Sequence, residues 1–146
     1  MPQAHGGKNK YWLQDHDTDK VELTPPILNQ WYTVFDADDV RLLWCWINQT
    51  NDEQVTKHIQ VRWTIDGTAY FVDVAVGNNN PAWIWRNWLP STAGTLGLTA
   101  DANPMNGAAL IDKRGLHFKV EVRIVTALGT NQTLTCYCVR ETLEPT

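Results

Sequence analysis

From Lys20 onward the apolar side chains recur at every second residue, and no window of the chain holds a 3.6-residue period. Successive side chains of a strand point to opposite faces, so a chain patterned this way buries its apolar atoms by forming sheets. The expected class is all-β. Eight strands are predicted, over residues 20–24, 31–35, 40–48, 58–66, 68–76, 107–111, 117–126 and 133–141. Pro25-Pro26 ends the first, and Asp36-Ala37-Asp38-Asp39 reads as a turn after the second. In the last two, Phe118, Val120, Val122 and Ile124 share one phase, and Leu134, Cys136 and Cys138 another.

The sharpest local signal is Asp66-Gly67, a dipeptide suited to the positive backbone angles of a two-residue hairpin turn. With Ile65 opposite Thr68, Trp63 faces Tyr70, Val61 faces Val72 and Ile59 faces Val74, all on one side of the ribbon. The other side pairs Arg62 with Phe71 and Gln60 with Asp73. Eight strands with a tight central hairpin suit an antiparallel two-sheet β-sandwich of the jelly-roll type, and a meander sandwich explains the pattern nearly as well. Val40–Ile47 is apolar in both phases. Val40, Leu42, Trp44 and Trp46 fall on one face and Leu43, Cys45 and Ile47 on the other, so Leu43 and Ile47 are expected to seek cover outside their own sandwich.

Residues 77–106 interrupt the alternation, and a structureless loop of that length is unusual in a compact domain. A short strand near Trp83–Trp85 or a functional excursion accounts for it. Residues 1–19 are expected as an N-terminal arm, since the first ten are polar and carry two glycines, and residues 20–146 as one sandwich domain. Within the arm, Tyr11-Trp12-Leu13 is either a clip on its own domain or an anchor on a neighbour.

Composition narrows the function. Twelve basic against sixteen acidic residues give a formal charge of -4, which offers no footprint for a phosphate backbone. No apolar run approaches the roughly 20 residues that cross a bilayer, and the first ten residues lack the apolar centre of a signal peptide. Synthesis in the cytosol, with neither nucleic acid nor membrane as partner, is the expectation. Ser91 is the sole serine, so a Gly-x-Ser-x-Gly nucleophile is ruled out. His5, His16, His58 and His117 form no metal-protease motif or triad-like order, and no enzyme is expected.

Other motifs resolve to plainer readings. Asp15-His16-Asp17-Thr18-Asp19 has Lys20 where a calcium loop needs its glycine and Pro26 where it needs its closing glutamate. Leu89-Pro90-Ser91-Thr92-Ala93-Gly94 has no apolar tail after it, as a sortase signal would. Asn48-Gln49-Thr50 and Asn131-Gln132-Thr133 match a glycosylation acceptor but read as polar turn residues in a cytosolic chain. Cys45, Cys136 and Cys138 have neither a Cys-x-x-Cys nor a histidine at zinc-finger spacing, and are expected as reduced core thiols without metal or other cofactor.

Eight tryptophans remain to be explained. Each hides about 150–250 Å² on burial, and a core this small does not hold all of them. Trp83, Trp85 and Trp88 have three readings: a platform for a sugar ring, anchors at a subunit contact, or a plug at the open end of the sandwich. Trp12 joins them as a candidate contact residue.

The run Ile27-Leu28-Asn29-Gln30-Trp31-Tyr32-Thr33-Val34-Phe35-Asp36, then Val40-Arg41-Leu42, then Val61-Arg62-Trp63-Thr64-Ile65-Asp66-Gly67 resembles the small β-sandwich virion proteins of tailed bacteriophages. These serve as head decoration or cement proteins, or as modules of tails and fibres. The resemblance covers about residues 27–76. It implies a jelly roll or related sandwich, a homotrimer, attachment to a capsid or tail protein of the particle, a virion location, and neither activity nor cofactor. The alternative is a carbohydrate-binding module, such as the receptor-binding tip of a fibre, holding glycan on exposed tryptophans.

Overall fold

A computed structural model describes residues 10–86, 98–101 and 117–145 of the chain, with side chains over 18–85, 98–100 and 117–141. Nine strands lie among them: β1 Lys10–Leu23, β2 Tyr32–Asp38, β3 Val40–Thr50, β4 Lys57–Ile65, β5 Thr68–Val76, β6 Ala82–Arg86, β7 Leu98–Asp101, β8 His117–Ile124 and β9 Thr133–Pro145. They form a five-stranded sheet in the order β1-β9-β3-β6-β7 and a four-stranded sheet in the order β2-β8-β4-β5. The pairs β1·β9, β2·β8, β3·β6 and β4·β5 nest inside one another along the chain, all antiparallel. That is one long hairpin rolled into two sheets, the jelly roll, with β7 added beyond β6. Among the described residues no helix is long and apolar enough to cross a membrane.

The central hairpin has the expected register at every pair from Lys57↔Val76 to Ile65↔Thr68. Asp66 and Gly67 have φ of 48° and 84°, the two positive angles that let a two-residue turn follow the twist of its strands. Ile59, Val61 and Trp63 are fully buried. Their partners on the edge strand β5, Val74, Val72 and Tyr70, are half-buried.

Two expectations are corrected and a third is resolved. The arm over 1–19 gives way at Lys10 to β1, which pairs with β9 through backbone groups. Those bonds are blind to side-chain polarity, so a polar edge strand leaves no apolar period to read. The turn at Asp36–Asp39 shrinks to Asp39 alone, at φ 57°, because β2 runs on through Asp38. The excursion over 77–106 contains β6, as one reading of it allowed, and then β7. The strand expected at 107–111 and the Leu89–Gly94 motif lie outside the described residues.

The core between the sheets is built from Leu42, Ile47 and Ile84 on one side and Ile59, Trp63, Phe118, Val120 and Ile124 on the other, each contributing roughly 1.5–3 kcal/mol by burial. Polar groups seal one end. Gln49 Nε2 donates to the carbonyls of Val55 (3.1 Å) and Val76 (2.9 Å). Its Oε1 accepts from Asn51 Nδ2 (2.9 Å) and Gln132 Nε2 (2.8 Å). The glutamines of the two Asn-Gln-Thr segments, expected as polar turn residues, are therefore buried partners with their hydrogen-bonding capacity filled.

Candidate interaction surface

Strand β3 decides what the outer face of the five-stranded sheet displays. Its pairing with β9 slips between Leu42 (opposite Arg140) and Trp44 (opposite Val139), so Leu43 is the extra residue of a β-bulge. One extra residue reverses the phase of everything after it. Val40 and Leu42 point inward before the bulge, Cys45 and Ile47 inward after it, and Trp44 and Trp46 outward. The expected grouping of Trp44 and Trp46 with Val40 and Leu42 is thus overturned. Ile47 is fully buried in the core, and Leu43 is half-buried at the bulge.

The register then aligns side chains across the sheet. Lys20 lies opposite Tyr137, Tyr137 opposite Trp46, and Trp46 opposite Trp83. Trp44 and Val139 form the neighbouring row. Trp44, Trp46, Trp83, Tyr137 and Val139 together line a groove of about 280 Å³. Trp44 is 48% exposed. Its ring lies 5.0 Å from that of Trp83 at 55°, and Trp46 meets Tyr137 at 5.4 Å and 72°. Trp46 and Tyr137 are set edge to face and Trp44 and Trp83 are tilted, so the rings wall a cleft where coplanar rings would make a platform. The ammonium of Lys20 sits 5.4 Å from the Tyr137 ring centre, and the carboxylate of Glu22, 2.7 Å away, raises its pKa.

Of the expected contact residues, Trp83 lies in this groove, and Trp85, two residues on, shares its outward phase because Ile84 between them is in the core. Neither plugs an end of the sandwich. The indole N–H of Trp85 is buried without a hydrogen-bond acceptor among the described residues. Trp12 is opposite Leu143 in the β1–β9 ladder, its side chain outside the described residues, as is Trp88 entirely. Trp44, Trp46, Tyr137 and Val139 went unrecognised as a surface group. The doubly apolar run was the available signal, and the bulge that sorts its two faces has no sequence mark.

The outer face of the four-stranded sheet is built differently. The guanidinium carbons of Arg62 and Arg123 lie 4.2 and 4.4 Å from the ring centre of Trp31, and Phe71 meets that ring edge-on at 6.5 Å. Arg62 pairs with Glu121 at 3.0 Å. Arg123 Nε donates to Gln60 Oε1 (2.7 Å), and Gln60 Nε2 donates to Asp73 Oδ2 (2.9 Å). Asp73 Oδ1 meets His58 Nδ1 at 2.7 Å. The bonds from Gln60 and His58 hold the Asp73 carboxyl below its ordinary pKa. At the end of this face His117 has Asp38 at 2.7 Å from Nδ1 and Asp36 at 2.6 Å from Nε2. Those carboxylates, Asp38 foremost, raise its pKa, and two carboxylates on both ring nitrogens suit the imidazolium.

Inside, Cys45, Cys136 and Cys138 are fully buried and unbridged, with their sulfurs within 4.8 Å of one another. Cys45 and Cys138 are direct partners across β3 and β9. Burial opposes charge on Cys45, but the neighbouring donors Cys136, Cys138 and the Trp63 indole outweigh it and lower the pKa of that thiol. In Cys136 the contact with Cys138 pulls down, while the contact with Cys45 and burial push its pKa up. Burial pushes Cys138 up as well.

No protein-family model matches the chain, and no curated protein matches it. Among solved structures, a chain from the structure of infectious bursal disease virus, Gx strain, aligns over 93% of this chain and 37% of its own length, at 15% identity and a TM-score of 0.26. At so low a score the two do not share a demonstrable fold.

Proposed function

We propose that this chain is a non-enzymatic structural protein of a virus particle, of the capsid decoration or cement type, and that it works by adhesion. The observation that carries the reading is the apolar outer face of the five-stranded sheet, where Trp44, Trp46, Trp83, Tyr137 and Val139 wall a groove open to solvent. Tryptophan and tyrosine dominate the energetic centres of protein contacts, because a large rigid ring buries much area at little conformational cost. A contiguous apolar patch on a sheet marks a surface that is covered in its working state. The partner is another copy of the chain in a homotrimer seated on the capsid or tail protein. Closure around a three-fold axis also protects sheet edges that a lone sandwich leaves open.

The sequence resemblance to virion proteins of tailed bacteriophages supplies the particle in this reading, and the groove supplies the adhesion. A glycan platform is disfavoured by the tilt of both ring pairs. Analytical ultracentrifugation combined with acrylamide quenching tests the proposal. A trimer is expected, with a fraction of the indole emission shielded until the trimer dissociates. A concentration-independent monomer whose emission shifts on adding oligosaccharide establishes the glycan alternative instead, and turnover of any small substrate overturns both.

A further inference from the structure

The interior holds a group of side chains that adhesion does not use. Cys45 on β3 and Cys136 and Cys138 on β9 place three sulfurs within 4.8 Å of one another, all in the dry core. From the opposite sheet comes Trp63, itself fully buried, whose indole N–H has no hydrogen-bond partner among the described residues. It lies near enough to Cys45 to favour the charged form of that sulfur without closing a hydrogen bond to it. A buried N–H donor without a conventional acceptor is rare in a folded protein, and one directed at sulfur stabilises negative charge there.

The geometry points to a binding site for a soft monovalent cation, copper(I), held by the sulfurs of Cys45, Cys136 and Cys138 inside the sandwich. Three-fold coordination with metal–sulfur bonds of about 2.3 Å sets the sulfurs about 4 Å apart, so closing the triangle moves each by at most about half an ångström. All donors are sulfur, which selects soft metals and rejects magnesium or calcium. Coordination number decides among the soft ones: the triangle offers three sulfurs, zinc closes on four ligands, and no fourth lies among the described residues. Binding displaces thiol protons to solvent, because the metal takes thiolates, and involves no redox step. Because the triangle is sealed between the sheets, the ion enters as the chain folds or through transient opening of β9. The site stands apart from the virion reading and survives or fails without it.

The test titrates reduced, anaerobic full-length chain with copper(I) against a competing copper(I) chelator, adding the ion both to folded protein and during refolding. One copper retained per chain, with a sulfur-to-copper charge-transfer band, is expected. Cys45→Ala and Cys138→Val should lose it. Trp63→Phe should keep the stoichiometry and weaken the affinity about tenfold, as removal of a donor beside the ligands does. Copper K-edge absorption of the unmodified complex, which needs no variant to fold, should read three sulfur neighbours at about 2.3 Å. Transfer of all copper to the chelator in both loading modes, undiminished binding by Cys45→Ala, or fewer than three sulfurs around the metal each overturns the site.

Discussion

The two outer faces of this sandwich rest on the same kind of strand and use aromatic residues in opposite ways. On the four-stranded sheet, Trp31 is covered by Arg62 and Arg123, and polar contacts run on through Gln60 to Asp73 and His58 and through Arg62 to Glu121. Those polar contacts close on one another, and the exposed ring left there, Phe71, packs edge-on against Trp31. On the five-stranded sheet the aromatic rings contact one another and are capped from one side by Lys20 alone among the described residues, leaving Trp44 half in solvent. The presence of tryptophan therefore does not mark the contact face. What marks it, among the described residues, is the lack of arginine and carboxylate partners around the tryptophan rings.

Four experiments probe this contrast, in order of expected effect. Deleting Leu43 removes the bulge and swaps the two sides of β3 at one end or the other, bringing Trp44 and Trp46 against the core in place of Cys45 and Ile47. The cost should rival the roughly 5–15 kcal/mol of total stability, and the cooperative transition in circular dichroism should vanish. Next, Trp44→Ala should weaken self-association by about 2 kcal/mol or more, about 30-fold in sedimentation equilibrium, while the denaturation midpoint of the monomer barely moves. Trp31→Ala should do the reverse. Loss of two stacked guanidinium groups should lower folding stability by about 1–3 kcal/mol in urea titration and leave association unchanged. If both variants shift the same observable, the two faces are not functionally distinct.

The smallest effect is a dependence on pH confined to the charged face. His117 is raised above its ordinary 6.5 by Asp38 and Asp36, so the fold favours its protonated form. Its contribution is complete below that ordinary value and is lost as pH rises through the higher folded-state value. Asp73 is held below its ordinary 3.8, so its contribution is present above that value and is lost as acid carries pH through the lower folded one. Urea midpoints should therefore fall between about pH 5.5 and about pH 8.5, and His117→Gln should flatten that slope. A Trp44→Ala protein should keep it.

Much of the architecture was legible in the residues. Alternation through β4, β5 and β8 identified a buried and a solvated side, and Asp66-Gly67 fixed the register of the central hairpin. β1 escaped because an edge strand with polar side chains has no period to detect. Gln49 and Gln132 were legible only as polar residues, since their mutual bond joins positions 83 residues apart in the chain. The groove was half legible. Val40–Ile47 announced two apolar faces, but which tryptophans stood outside depended on one unpaired residue at Leu43.

The class of fold, the central turn and most of the core were written in the order of the residues, because these follow from local backbone preference and from a two-residue period that any strand obeys. Tertiary structure alone decided which rings face water, which cysteines meet, and which polar groups bury together. Each of those depends on register between strands distant in the chain, and register is a property of pairs that no single stretch of residues contains.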